Sequence, residues 1–319
     1  MSEDLTEPLK QYSKPDLAIV IAGPTASGKS DLAVDLAVKL GGVVINADSM
    51  QIYVDTPIIA AAPKEEDLVK VPHYLYGVFP ASKNGSVVDW LELAIAQIKR
   101  AWSDKKVPII VGGTGFYIDA LVYGLTPIPE TGDAVRRQVS VFMNEKGVNA
   151  MHDELKDFDP VSYATIKAND TTRVRRAWEV YLDTGTTMSE WQSRPKVRQL
   201  DADFLVIKLL PPTKELDERC YVRFDKMIEQ GGLDEVKKLY SKKLDENLPA
   251  MKALGVPELM SYLKGERSLE EAADLAKLHS RQYAKRQKTW FRNKLEADVT
   301  LEECYKRQED ILDGIIGLV

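Results

Sequence analysis

The chain is poor in the side chains that build disulfides and transition-metal sites: 319 residues contain two cysteines, Cys220 and Cys304, and three histidines, His73, His152 and His279. The cysteines are far apart and form no CxxC pair, so they give no sign of a disulfide framework or a zinc site, and buried thiols are expected. The histidines are isolated and read as structural. No apolar run reaches the roughly 18 residues of a membrane span. The opening MSEDLTEPLKQYSKPD is polar and acidic, unlike a secretory signal, so the expectation is a soluble, cytoplasmic protein with no membrane partner. Excess positive charge is also lacking. A net charge of −6 argues against nonspecific coating of nucleic acid, although a whole-chain sum hides local clusters. Repeats and low-complexity stretches are absent.

What is present alternates. LAIVIA (17–22) is a continuous apolar run ending in glycine, as a buried parallel strand requires. Leu32, Ala33, Leu36, Ala37 and Leu40 then keep the spacing of one helix face, and Gly41 stops the helix. VVINA (43–47) and VPIIV (107–111) read as further strands, VDWLELAIAQIKRAW and GFYIDALVYG as helices. Strands alternating with helices predict a parallel sheet covered on both faces. From about 133 to 193 only helical periods appear, with Asn169 or Asp170 placed to cap one of them. DFLVIKLLP (203–211) restores a core strand, helices follow to about 294, and a short strand and helix close the chain. A chain of this length is expected to split. The expected fold is α/β, a P-loop NTPase-like parallel sheet core flanked by helices (1–130 and 203–319), with an all-helical insertion lobe (131–202).

Gly23-Pro24-Thr25-Ala26-Ser27-Gly28-Lys29-Ser30 fits G-x-x-x-x-G-K-[ST] directly after a strand and before a helix, the context that makes this motif credible. Its backbone N–H groups and the helix dipole would surround an anion, Lys29 would add a point charge, and Ser30 could ligate Mg²⁺. An ordinary nucleotide hydrolase or kinase also needs an acid at the end of a neighbouring strand. VPIIV runs instead into Gly112-Gly113-Thr114-Gly115, a second glycine turn, which suits holding a phosphorylated donor and an acceptor better than activating water. Asp48, following VVINA, belongs at the same carboxyl edge of the sheet. It could be a general base or merely a turn cap. Ser49 and Gln51 add donors suited to a base edge.

In TKELDERCYVRFDKMIEQGG, Arg223 projects into the apolar stripe of Leu216, Cys220, Phe224, Met227 and Ile228. A guanidinium there must meet an anion, either an internal carboxylate or a bound diphosphate, with Arg219 one turn earlier. Positive charge concentrates at Arg136-Arg137, at Arg173, Arg175 and Arg176, and in SRQYAKRQKTWFRNK. The arginines of the second group fan out around Val174, Ala177, Trp178, Tyr181 and Leu182, free to touch phosphates. Such runs are usually solvated faces. Lys285, Arg286 and Lys288 beside Tyr283 and Trp290 add the aromatics that RNA stacking uses.

Taken in order, GPTASGKS, NADSMQIY, GGTGFYIDAL, NDTTRVRRAWEV, LPAMKALGVPEL and RQYAKRQKTWFRN resemble the bacterial tRNA dimethylallyltransferase family, over residues 17 to about 294. The resemblance implies transfer of a dimethylallyl group from dimethylallyl diphosphate to N6 of the adenine 3′ of the anticodon, position 37, in tRNAs reading codons that begin with U. It also implies Mg²⁺ as cofactor, a monomer, and an insertion lobe clasping the anticodon stem-loop. Asp48, Thr114 and Arg223 match catalytic positions. Asp48, Ser49, Met50 and Gln51, Thr114, Arg136, Thr172, Arg173, Val174, Arg175, Arg176, Lys252, Gly255, Arg281, Lys285 and Arg286 match tRNA-contacting ones. Val54 and Ala60-Ala61-Ala62-Pro63 depart from the pattern, standing where the family usually has an arginine and then a T-A-[KR]-P segment. The alternatives are an isopentenyltransferase of free adenine nucleotides, which would need neither the lobe nor the basic clusters, a P-loop small-molecule kinase, and a noncatalytic RNA-binding protein.

Overall fold

The computed structural model describes residues 16–319, which divide into two compact units, one running to Val122 and resuming at Leu200, the other Tyr123–Gln199. The first part of unit 1 runs β1 (Leu17–Ala22), α1 (Lys29–Leu40), β2 (Val43–Asn46), α2 (Glu65–Lys70), β3 (His73–Tyr74), α3 (Val87–Ser103), β4 (Pro108–Gly112) and α4 (Gly115–Tyr123). Unit 2 contains α5 (Asp133–Lys146), α6 (Val148–Phe158), α7 (Pro160–Thr165), α8 (Thr171–Thr184) and α9 (Met188–Ser193). The chain then returns through β5 (Asp203–Leu209), α10 (Thr213–Glu229), α11 (Gly232–Ser241), α12 (Val256–Leu263), α13 (Leu269–Lys294), β6 (Val299–Leu301) and α14 (Glu309–Ile316).

The strands of unit 1 form one sheet in the order β3-β2-β4-β1-β5-β6, every neighbouring pair parallel. β1 is central and fully buried from Ala18 to Ala22, which is why its sequence is uniformly apolar instead of alternating. It registers Ala22 against Gly112 of β4 and Lys208 of β5, so the loops after β1, β2 and β4 leave from one edge of the sheet. The face of α1 read from the sequence packs on that sheet: Leu32, Leu36 and Leu40 join Ile19, Ile21, Leu205 and Ile207, with Leu312 and Ile315 of α14 closing the same cluster. Gly41 takes the left-handed conformation (φ 60°) that ends α1. α10 and α12 pack on α13.

Unit 2 has its own small cores. Val139, Met151 and Val174 join α5, α6 and α8, while Leu155, Ala177, Val180 and Met188 form the second. Phe158 stacks on Tyr181 with ring centroids 4.3 Å apart. Asp170 supplies the cap of α8, accepting from the Arg173 N–H at 3.1 Å. Among the described residues no helix is long and apolar enough to cross a membrane.

Candidate active site

The loop after β1 is shaped to hold an anion. α1 starts at Lys29 with Gly28 at its cap in the left-handed region (φ 89°) and with no side-chain cap, so its first N–H groups are left for an external partner. Ala26 also has positive φ, 64°, unusual for a residue with a Cβ. Lys29 is buried, its Nζ donating to the Pro24 carbonyl at 3.2 Å. Burial pushes its pKa down to about 8, with Arg223 adding to the effect and Asp48 opposing it. Ser27 Oγ is buried without a partner, and Ser30 lies exposed in the first turn of α1.

Arg223 is half-buried on α10 beside buried Cys220, Phe224 and Met227. It does not form an internal ion pair among the described residues; its Nη1 donates to Thr25 Oγ1 at 3.0 Å, leaving the rest of the guanidinium for another acceptor. Burial lowers its pKa, with Arg219 adding and Asp48 opposing. Two buried or half-buried cations thus lie beside one loop, an arrangement that gains when an anion arrives.

Across the crevice, Asn46 at the end of β2 fixes the turn. Its Oδ1 accepts from the Asp48 N–H at 2.8 Å, and its Nδ2 donates to the carbonyls of Asp48 and Leu75, both at 3.0 Å. Asp48 caps the turn, its Oδ1 accepting from the Met50 N–H at 3.0 Å. Thr114 in the second glycine turn holds Ser49, its Oγ1 accepting from the Ser49 N–H at 2.9 Å and donating to Ser49 Oγ at 3.1 Å. Gly112 is obligatory, since a Cβ there would collide with Ala47, and Gly115 is covered by the Trp290 ring.

Two cavities of unit 1 meet here. One, of about 750 Å³, is lined by Gly28, Lys29, Ser30, Arg219 and Arg223 and walled by Ile58 and residues 61–63. The other, of about 310 Å³, is lined by Thr25, Asp48, Lys252, Tyr283 and Arg286. Arg223 and Met227 border both. The larger chamber gathers Lys29, Arg219 and Arg223 at its loop end, with Asp31, Glu66, Asp67 and Glu218 elsewhere on its wall, and the smaller one carries a carboxylate and an aromatic ring; the pair fits a phosphorylated donor meeting a planar acceptor.

Residues 51–294 match the IPP transferase family model and residues 17–77 the isopentenyl transferase model. The tRNA dimethylallyltransferase of Granulibacter bethesdensis is 43% identical over 277 residues, 87% of each chain. That of Parvibaculum lavamentivorans is 45% identical over 278 residues, 87% of this chain and 88% of the relative. The chain belongs to the tRNA dimethylallyltransferase family. Among solved structures, the full-length tRNA isopentenylpyrophosphate transferase of Bacillus halodurans superposes with a TM-score of 0.68 at 35% identity, covering 96% of this chain and 95% of that one. A eukaryotic dimethylallyltransferase acting on tRNA gives a TM-score of 0.76 at 29% identity, covering 91% and 74%.

Several motif residues of this tRNA dimethylallyltransferase family member have partners within the protein that its sequence did not suggest. Arg173, Arg175 and Arg176 are not free: Arg173 pairs with Asp170 at 2.9 Å, Arg175 with Glu179 at 3.4 Å, and Arg176 with Glu179 at 3.9 Å and with Thr131. Val174 is fully buried and anchors the segment, while Thr172 is exposed in the first turn of α8. Arg136 pairs with Glu130 at 3.4 Å on the surface of unit 2. Gln51 does not offer its amide to a base; Nε2 donates to the carbonyls of Ala60 and Ala61 at 3.0 and 2.9 Å. With Glu235, whose carboxylate accepts from the N–H groups of Ile58 and Ile59 at 2.8 and 2.9 Å, it holds the neutral departing segment as a cavity wall.

Gly255 is a buried left-handed turn (φ 96°), whereas Lys252 is exposed and lines the smaller cavity. On α13, Lys285 and Arg286 are exposed, Arg281 lies 3.9 Å from Asp217, and most of the Lys288 side chain is buried. Sequence reasoning missed the strap after β6. Tyr305 N–H donates to the Ser27 carbonyl at 3.0 Å, Tyr305 Oη to Asp35 at 2.9 Å, and Arg307 pairs with Asp31 at 3.1 Å. The strap thereby binds the phosphate loop and α1 from outside.

Proposed function

We propose that this chain transfers the dimethylallyl group of dimethylallyl diphosphate to N6 of the adenine 3′ of the anticodon, position 37, in tRNAs reading codons that begin with U, releasing diphosphate. The observation that carries the reading is the meeting of the two cavities at Arg223, with Asp48 lining one and the phosphate loop the other. Membership of the family supports it. The protein acts as a cytoplasmic monomer on the anticodon stem-loop.

Diphosphate occupies the larger cavity against the first-turn N–H groups of α1, with Lys29 and Arg223 stabilising the charge that develops as the allylic C–O bond breaks. Ser30 offers one exposed hydroxyl oxygen to a Mg²⁺ ion that substrate phosphate and water would otherwise hold. Bound there, the ion would neutralise part of the diphosphate charge. The adenine, flipped from its loop at a cost of a few kcal/mol, enters the smaller cavity, where Tyr283 offers a stacking surface and Asp48 Oδ2 accepts the N6 proton. An exocyclic amine is a weak nucleophile, so most of the rate comes from holding it against the loosened carbon.

The test is incubation with labelled dimethylallyl diphosphate, Mg²⁺ and unmodified tRNA, with and without ATP. ATP-independent label in the RNA is expected. Label on free adenine nucleotides alone, or ATP turnover without a prenyl donor, would overturn the assignment.

A further inference from the structure

Gln287 belongs to the motif read from the sequence as RNA-facing, yet its side chain is buried. Its Oε1 accepts from the Thr25 N–H at 2.9 Å, and its Nε2 donates to the Gly113 carbonyl at 2.7 Å. The two partners fix the orientation of the carboxamide, because a backbone N–H can only donate and a carbonyl can only accept. Both partners matter to the site. Thr25 receives Arg223 through its hydroxyl, and a Cβ at Gly113 would lie 3.2 Å from Asp48 Oδ2. The following residue, Thr114, holds Ser49. The β1–β4 ladder ends at the Ala22–Gly112 pair, beyond which the phosphate loop and the glycine turn have no common backbone rung. Gln287 supplies one, and it lines neither cavity.

We propose that Gln287 is a positioning residue for the transfer described above: its carboxamide sets the separation between the phosphate loop and the turn behind Asp48, and therefore the reach from donor to acceptor. Only a group with a donor at one end and an acceptor at the other can do this. Gln287→Glu is the discriminating substitution. As a carboxylate it keeps the bond to Thr25 but turns a second lone pair on the Gly113 carbonyl, opening the gap. Protonated, it again donates and accepts, and burial beside a carbonyl raises a glutamic acid toward neutral pH.

The expected result is kcat about 10²-fold below wild type at pH 8, the loss that a misplacement near 1 Å brings, with both KM values within about twofold. The variant-to-wild-type kcat ratio then climbs as pH falls from 8 to 6. Gln287→Leu stays low throughout. A ratio independent of pH, or a loss confined to KM, overturns the proposal. Amide hydrogen exchange of the wild-type protein gives an answer that needs no variant to fold and no transferase activity. The Thr25 N–H should be protected in the absence of ligand, and rapid exchange there removes the rung whatever reaction the enzyme proves to catalyse.

Discussion

Lys29 sits where its charge is disfavoured until an anion comes. Its pKa is lowered from 10.5 to about 8, so the free protein loses this proton as pH rises through about 8, while bound diphosphate pulls the pKa back up. The Lys29 contribution to diphosphate affinity is therefore expected to be constant below about pH 8 and to fall by up to tenfold per unit above it. Titration calorimetry with inorganic diphosphate checks this, Lys29→Met providing the baseline in which the step is missing. The stability sign is opposite: the unfolded chain holds this proton up to 10.5, so the burial penalty is full below pH 8 and is relieved as pH rises between the two values. For Asp48 the informative change is to asparagine. Asn keeps the Oδ1 acceptor for the Met50 N–H but cannot take a proton, so kcat should fall about 10²–10⁴-fold with tRNA affinity within about twofold. Filter binding alongside single-turnover rates separates the two. Undiminished kcat would leave Asp48 as a turn cap alone.

Among the elements, the phosphate loop depends on a segment distant in sequence. A Cβ at Gly28 would lie 2.5 Å from the Tyr305 carbonyl, and φ of 89° itself costs an ordinary residue about 1–2 kcal/mol. Gly28→Ala should thus shift the loop and abolish measurable diphosphate binding while the far-ultraviolet circular dichroism stays native; unchanged affinity would mean that the strap yields. The central strands, α1, α3, α4 and the cap at Asp170 were all legible, because burial on both faces, 3.6-residue spacing and capping chemistry leave local marks. β3 is two residues long, and α2 buries none of its side chains, so neither carries a period. The strap was invisible because its tie to Ser27 is between backbone atoms, which any sequence can make. Gln287 was discoverable: it falls in the buried stripe of Ala276, Ala284 and Phe291, the same anomaly that singled out Arg223. Glu179, one turn past Arg175 and Arg176, likewise offered the i,i+3 and i,i+4 pairs that tie those arginines down.

At the scale of the whole molecule, the chain separates chemistry from a second folded unit with a core of its own. Unit 1 holds both cavities and every group that Proposed function assigns to the reaction, whereas Arg136 and Thr172 through Arg176 all lie in Tyr123–Gln199. Met151 is fully buried in the small core shared with Val139 and Val174. Met151→Ala should cost about 2–5 kcal/mol, a large fraction of what so small a core supplies, and should loosen unit 2 alone. In hydrogen exchange, amides of α5, α6 and α8 should then lose protection while those of β1 and β4 keep theirs. If unit 2 holds the anticodon stem-loop, KM for tRNA rises at least tenfold, and diphosphate affinity, set by Lys29 and Arg223, does not change. A parallel loss of diphosphate affinity would show that the two units fold as one cooperative body. Unaltered use of tRNA despite deprotected helices would take the RNA-holding role away from this unit.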